Sequence, residues 1–173
     1  GPRIATMGLH HGGGLAALGA ALRQPSVMVA CVGGSVTAGT NAAAGPFSGY
    51  LEAWLRQRLP QQLVQVWNGG RPADTVFGVM AAGVPENASI VIIELSLNCG
   101  SQLEAFLRQQ LLARRAVVIL NWLTLWGNFG SHCQGQWVAL AVYYGVPLVD
   151  MESALFHARR RPAVRRLYPA GRD

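Results

Sequence analysis

The feature that most constrains this chain is an alternation. Short, nearly continuous apolar runs at 26–32, 63–67, 89–95, 116–120 and 146–149 are separated by longer segments with helical periodicity. The runs are rich in Val and Ile and bounded by Gly, Pro or Asn, so they read as strands buried on both faces. Phe47, Tyr50, Leu51, Trp54 and Leu55 recur at i, i+3, i+4, i+7 and i+8, with Pro46 at a first helical position and an end near Pro60. Ser101 and Glu104 have capping-box spacing ahead of Leu103, Phe106, Leu107 and Leu111, in a helix stopping near Arg114-Arg115. Ser131 and Gln134 repeat that spacing ahead of Trp137, Leu140, Ala141 and Tyr144. Strands buried on both faces and joined through helices predict an α/β fold, a three-layer α/β/α sandwich with about five parallel strands in flavodoxin-like order. Ligands of such sheets bind past the carboxyl ends of the strands, which directs attention to the residues after 32, 67, 95, 120 and 149.

Composition narrows the function classes. The 173 residues are 51% hydrophobic and 13% charged, the reverse of a disordered chain and enough for one core. Of fourteen basic residues, all arginine, six fall in 157–173 beside a single acid, while the rest of the chain is nearly neutral. A nucleic-acid-binding domain would spread that charge over a docking face, so no nucleic-acid partner is expected. Arg159, Arg160, Arg161, Arg165 and Arg166 read as a solvated tail or helix face, with a polyanion site as the alternative. No apolar run approaches the roughly 18 residues of a membrane span, so no stable membrane insertion is expected.

Cys31, Cys99 and Cys133 form no CxxC pair and lie far apart, which speaks against a zinc ribbon or a dense disulfide scaffold. His10, His11, His132 and His157 lack metal-ligand spacing, and no metal is expected. Neither GxGxxG nor Gly-Lys-Ser/Thr follows the first strand, which weakens a nucleotide-binding reading, and no cofactor is expected. Asn87-Ala88-Ser89 fits a glycosylation sequon or a plain loop. The tryptophans at 54, 67, 122, 126 and 137 read mostly as core; Trp122 and Trp126, in the loop after the fourth strand, either pack or line a substrate pocket.

The residues past the first three strands carry the chemistry. They are Gly33-Gly34-Ser35-Val36-Thr37-Ala38-Gly39, Asn68-Gly69-Gly70-Arg71-Pro72-Ala73-Asp74-Thr75 and Ser96-Leu97-Asn98. A hydroxyl, glycine-rich backbone donors and a side-chain amide at one end of a sheet suit acyl transfer, whose tetrahedral intermediate needs preorganised donors around its oxyanion. These blocks, with Pro85-Glu86-Asn87-Ala88-Ser89 leading to Glu94-Leu95-Ser96-Leu97-Asn98, resemble in order and spacing the SGNH (GDSL-type) hydrolase superfamily. The likeness is to its plant, algal and fungal esterase-like branch, over residues 27 to 156.

That resemblance implies a serine ester hydrolase or acyl-transfer enzyme with Ser35 as nucleophile, acting on a small-molecule ester or an acylated glycan. Ser35, Asn98 and Ala73, with Gly70 as the other candidate to Ala73, would form the oxyanion hole. The chain is accordingly expected to divide into an N-terminal leader at 1–25, helical or flexible, an SGNH-like domain at 26–157 and an Arg-rich segment at 158–173 that reads as a truncated end of the domain. The resemblance points to the secretory pathway. The family's Asp-x-x-His block is expected at or beyond the end of the chain, with Asp173 as the candidate orienter. His157 reads as a helix-end or surface residue, or as a substitute base. The alternative function is a catalytically silent binding module that keeps the fold and lacks the base.

Overall fold

The computed structural model describes residues 9–10, 14–40, 42–72, 75–96, 100–122, 134–151 and 154. The elements run β1 (Leu9–His10), α1 (Leu15–Leu22), β2 (Ser26–Gly33), α2 (Ser35–Ala38), α3 (Phe47–Arg58), β3 (Leu63–Gly70), α4 (Val76–Ala82), β4 (Ile90–Glu94), α5 (Gln102–Leu112), β5 (Ala116–Asn121), α6 (Gln134–Tyr144) and β6 (Leu148–Asp150). The sheet order is β1-β6-β5-β4-β2-β3. Strands β2 to β6 pair in parallel, and the two-residue β1 adds antiparallel to β6. The five parallel strands have the expected flavodoxin-like order, which reverses direction between β2 and β4.

Side chains in strands alternate between faces, and the two faces of this sheet bury two separate apolar clusters. Val27, Val29 and Cys31 of β2 join Leu55 of α3, with Leu18, Ala21 and Leu22 of α1 packed against them. Ala30 and Val32 of the same strand join Val91, Ile93, Val117 and Ile119, covered by Val76 and Val79 of α4, Phe106 and Leu107 of α5, and Trp137 and Ala141 of α6. Helices on both faces explain why β2, β4 and β5 are apolar along nearly their whole length instead of alternating with polar residues.

Several local expectations need correction. β3, which reads as a buried strand, pairs among the described residues only with β2 and forms an edge, and Leu63 is 62% exposed. The capping box of α5 does not form. Ser101 has helical backbone angles (φ −60°, ψ −23°) that leave its side chain without a cap bond, and the Gly100 carbonyl accepts the Leu103 N–H instead. The Glu104 carboxyl turns to α6, where it accepts the Tyr144 hydroxyl at 2.5 Å. Pro46 stands one place ahead of α3, as its extended N-cap. Trp54 is not core: it is 52% exposed on α3, with the Arg58 guanidinium 5.8 Å from its ring centroid. The Ser131 cap of α6 lies outside the described residues.

Candidate active site at the carboxyl end of the sheet

The sheet register builds the site. Gly33, the last residue of β2, aligns with Gly70 on β3 and with Glu94 on β4. The chain then turns through Gly34 into the single turn α2, whose first residue is Ser35. Ser35 is thus half-buried beside the point where the strand order reverses, the crevice in which open α/β sheets bind ligands.

The turn leaves no room for side chains behind it. A Cβ on Gly33 would lie 2.0 Å from the Glu94 carbonyl oxygen and 2.2 Å from Thr37 Oγ1. One on Gly70 would lie 2.1 Å from the Ala38 nitrogen. These two glycines allow β3, β4 and the turn bearing Ser35 to approach to backbone contact.

Polar side chains then fix the loops to one another. Thr37 is fully buried and is the hub. Its N–H and hydroxyl both donate to Glu94 Oε2, at 3.2 and 2.9 Å, and its carbonyl accepts Asn68 Nδ2 at 2.8 Å. Asn68 Nδ2 also donates to Ser48 Oγ at 3.0 Å, and its Oδ1 accepts the Gly70 N–H at 2.8 Å. The other Glu94 oxygen, Oε1, accepts the Ser96 N–H at 3.2 Å, and Ser96 Oγ accepts the Trp122 N–H at 2.6 Å. One connected set of bonds therefore joins the end of β3 to the segments that follow β2, β4 and β5. Apart from the exposed Gly70–Asn68 bond, these bonds are buried or partly buried, where an unmade partner is costly. Trp122 stacks on Phe47 at the head of α3, with ring centroids 6.3 Å apart and planes 16° from parallel.

Of the residues singled out in the sequence, Ser35, Gly70 and Trp122 are brought to this one end of the sheet. Ala73, Asn98, Trp126, His157 and Asp173 lie outside the described residues. The Gly70 N–H is committed to Asn68, so serving an oxyanion would require giving up that bond. The N–H groups of Thr37 and Ala38 are likewise taken, by Glu94 and by the Gly34 carbonyl. Those of Ser35 and Val36 belong to the start of the turn, where no intrahelical acceptor exists.

Sequence reasoning placed Thr37 and Glu94 within the blocks at the ends of the first and third strands but gave neither a role of its own. Glu94 carried one available signal, a carboxylate ending a run of aliphatic residues, which in a doubly covered strand demands a specific partner. Among the described residues no three His, Cys, Asp or Glu side chains group as a metal site would require, and no helix is long and apolar enough to cross a membrane.

No protein-family profile matches the chain, and no curated sequence does. Solved structures do. A two-domain esterase active on acetylated mannans, crystallised with mannopentaose, superposes with a TM-score of 0.77 at 21% identity, over 92% of this chain and 48% of that one. The chain thus spans about half the length of that esterase. The SGNH-hydrolase-family esterase AlinE4 matches with a TM-score of 0.51 at 20% identity, over 82% of this chain and 83% of the other. A lipase/acylhydrolase from Enterococcus faecalis matches with a TM-score of 0.54 at 18% identity, over 80% and 82%. The chain has the SGNH hydrolase fold. Its structural neighbours are esterases and acylhydrolases.

Proposed function

We propose that this protein is a serine ester hydrolase or acyl-transfer enzyme of the SGNH type, with Ser35 as its nucleophile and acylated, in particular acetylated, glycans as its substrate class. The observation that carries the reading is the placement of Ser35. A serine opens a single helical turn directly after a central strand, at the reversal of strand order, on a backbone clamped by Gly33, Gly70, Asn68 and Glu94. The glycan preference is supported by the likeness to an esterase active on acetylated mannans and by the Phe47–Trp122 pair at the same end of the sheet.

In this reading Ser35 Oγ attacks the ester carbonyl carbon and gives its proton to a base. The carbonyl oxygen becomes an oxyanion that accepts from the Ser35 N–H, with the Ala73 N–H and the Asn98 amide as further donors. The intermediate collapses by breaking the carbon–oxygen bond to the alcohol, which leaves with the proton from the base. Water, or a second alcohol in transfer, then attacks the acyl-serine and regenerates the hydroxyl. The base is a histidine; the resemblance assigns it to an Asp-x-x-His block with Asp173 as orienter, and within the chain His157 follows β6.

Labelling with a fluorophosphonate probe, compared between wild type and Ser35→Ala, tests the nucleophile. Labelling at Ser35 that is lost in the variant supports the reading; equal labelling of both rejects it. Acetate release from acetylated mannan, set against p-nitrophenyl acetate turnover, tests the substrate class.

A further inference from the structure

We infer that Glu94 is a positioning residue for Ser35, holding the nucleophile's turn and Ser96, just past β4, at a fixed separation; this rests on the reading of Ser35 as nucleophile. Glu94 ends β4 and is 2% exposed. A carboxyl group so far from water needs its oxygens satisfied by donors, and here the donors come from two loops. Oε2 receives both donors of Thr37, two residues past Ser35, and Oε1 receives the N–H of Ser96, two residues before Asn98. One rigid planar group therefore bridges the strands on either side of the point where the sheet order reverses.

The backbone at the same place reinforces the bridge. The Gly34 N–H donates to the Glu94 carbonyl at 3.3 Å, and Gly33 has no side chain to push that carbonyl away. Glu94 thus holds the turn on both flanks of Ser35, through its main chain before the serine and its side chain after it. It does not touch the reacting atoms in this arrangement. It acts through Thr37 and Ser96, and its contribution is to keep the turn bearing Ser35 in register with the segment that follows β4 when the oxyanion forms.

The chemistry of the clamp selects a carboxylate over its isosteres. All three partners present hydrogens, so a glutamine would offer one accepting oxygen and turn an NH₂ toward a backbone N–H that also donates. Glu94→Gln therefore breaks one side of the bridge while preserving volume. Thr37→Val removes only the hydroxyl contact and keeps the backbone one.

The experiment is the concentration dependence of fluorophosphonate labelling on the full chain, which separates the maximal inactivation rate from probe affinity. Glu94→Gln is expected to lower the maximal rate by about 10- to 100-fold, with probe affinity within about threefold of wild type, since a small misplacement of a reacting group costs rate more than binding. Thr37→Val should lower it by a smaller factor in the same direction. Wild-type maximal rates in both variants, with Ser35 still labelled, overturn the inference and leave the nucleophile reading standing. Absence of labelling at Ser35 in the wild type removes both. If Glu94→Gln fails to fold by circular dichroism, Thr37→Val decides alone: an unchanged rate overturns the proposal and a reduced one at unchanged affinity supports it.

Discussion

The two ends of β2 are held by different physics. In its first half, Val27 and Val29 lie among Leu55, Val64, Ile90 and Ala116, an aliphatic environment whose stabilisation depends on buried area and filled volume. At its last residue, Gly33 sits between Gly70 and Glu94, and the neighbouring side chains, Thr37 and Asn68, are polar and saturated with hydrogen bonds. The first kind of environment accepts many residues of suitable size. The second accepts almost none, because its polar atoms are committed to specific partners across the loops. The scaffold half can drift in sequence while the site end cannot, and opposite responses to substitution should show it.

The largest effect on stability is expected in the scaffold. Ile90 is buried on β4, paired with Val29 in the first half of β2. Ile90→Ala should lose about 2–5 kcal/mol of unfolding free energy, measured by urea titration, through lost transfer energy and the cavity left behind. Labelling of Ser35 by a fluorophosphonate in the fraction that stays folded should be unchanged. A selective loss of labelling would mean that the two ends are not separable.

Gly33→Ala inverts that pattern. Its Cβ would meet a backbone oxygen at 2.0 Å, which no rotamer change can relieve, so the strand or the turn must move. The cost should reach the upper part of the usual overpacking range, about 3 kcal/mol. Here Ser35 labelling should fall in the folded fraction as well. A variant that is as stable and as reactive as wild type would show that the turn is slack, and the contrast between the two ends would fail.

The same contrast explains what could be read from the sequence. The strands and the helices α3, α5 and α6 were legible because their periodicities are local. α4 was not, although Thr75 caps it by accepting the Gly78 N–H at 3.3 Å and Val76 and Val79 are buried beneath it. Seven residues interrupted by a glycine give too little pattern, but a threonine followed by apolar residues three apart was the available sign. The two-residue β1 is too short to carry any alternation. Exposure on β3 escaped notice because composition does not distinguish an edge strand from an interior one.

At the site, Ser35 was legible because a strand, two glycines and a serine are consecutive. The bonds from Thr37 to Glu94 span 57 residues, and those from Ser96 to Trp122 span 26. Their existence depends on which strands become neighbours, and that is decided by the whole fold.

A titration sharpens the description of the apolar half. Cys31 lies fully buried on β2, and burial pushes its thiol from the ordinary 9.0 up to about 12. Unfolding exposes the thiol, which then ionises above pH 9 while the folded protein keeps its proton. The contribution is therefore intact below pH 9 and is lost progressively between 9 and 12. Relative to Cys31→Val, wild type should lose about 2 kcal/mol of stability on going from pH 8 to about pH 10.5. Identical pH profiles would mean that solvent reaches this part of the core. Peptide mapping after iodoacetamide treatment at pH 8 offers a second check, with Cys31 expected to react only once the protein is denatured.

The smallest effect is expected where a polar contact lies at the surface. Glu52 and Arg56 form an ion pair at 2.6 Å one turn apart on α3, and the Arg56 side chain is 62% exposed. Its geometry is as close as any bond in the site, and its chemistry, charge on charge, is nominally stronger. Water and salt compete for both partners, and holding two long side chains together costs conformational entropy, so such pairs contribute about 0.3–0.5 kcal/mol. Glu52→Gln should accordingly lower the unfolding free energy by no more than that, and the difference should shrink as ionic strength rises. Arg56 Nε also donates to the Val64 carbonyl at 3.3 Å, a contact the variant leaves in place. A loss above about 1 kcal/mol that persists in high salt would place this surface pair in the class of the buried Glu94 contacts, and burial would no longer separate the bonds that fix the site from those that merely decorate the fold.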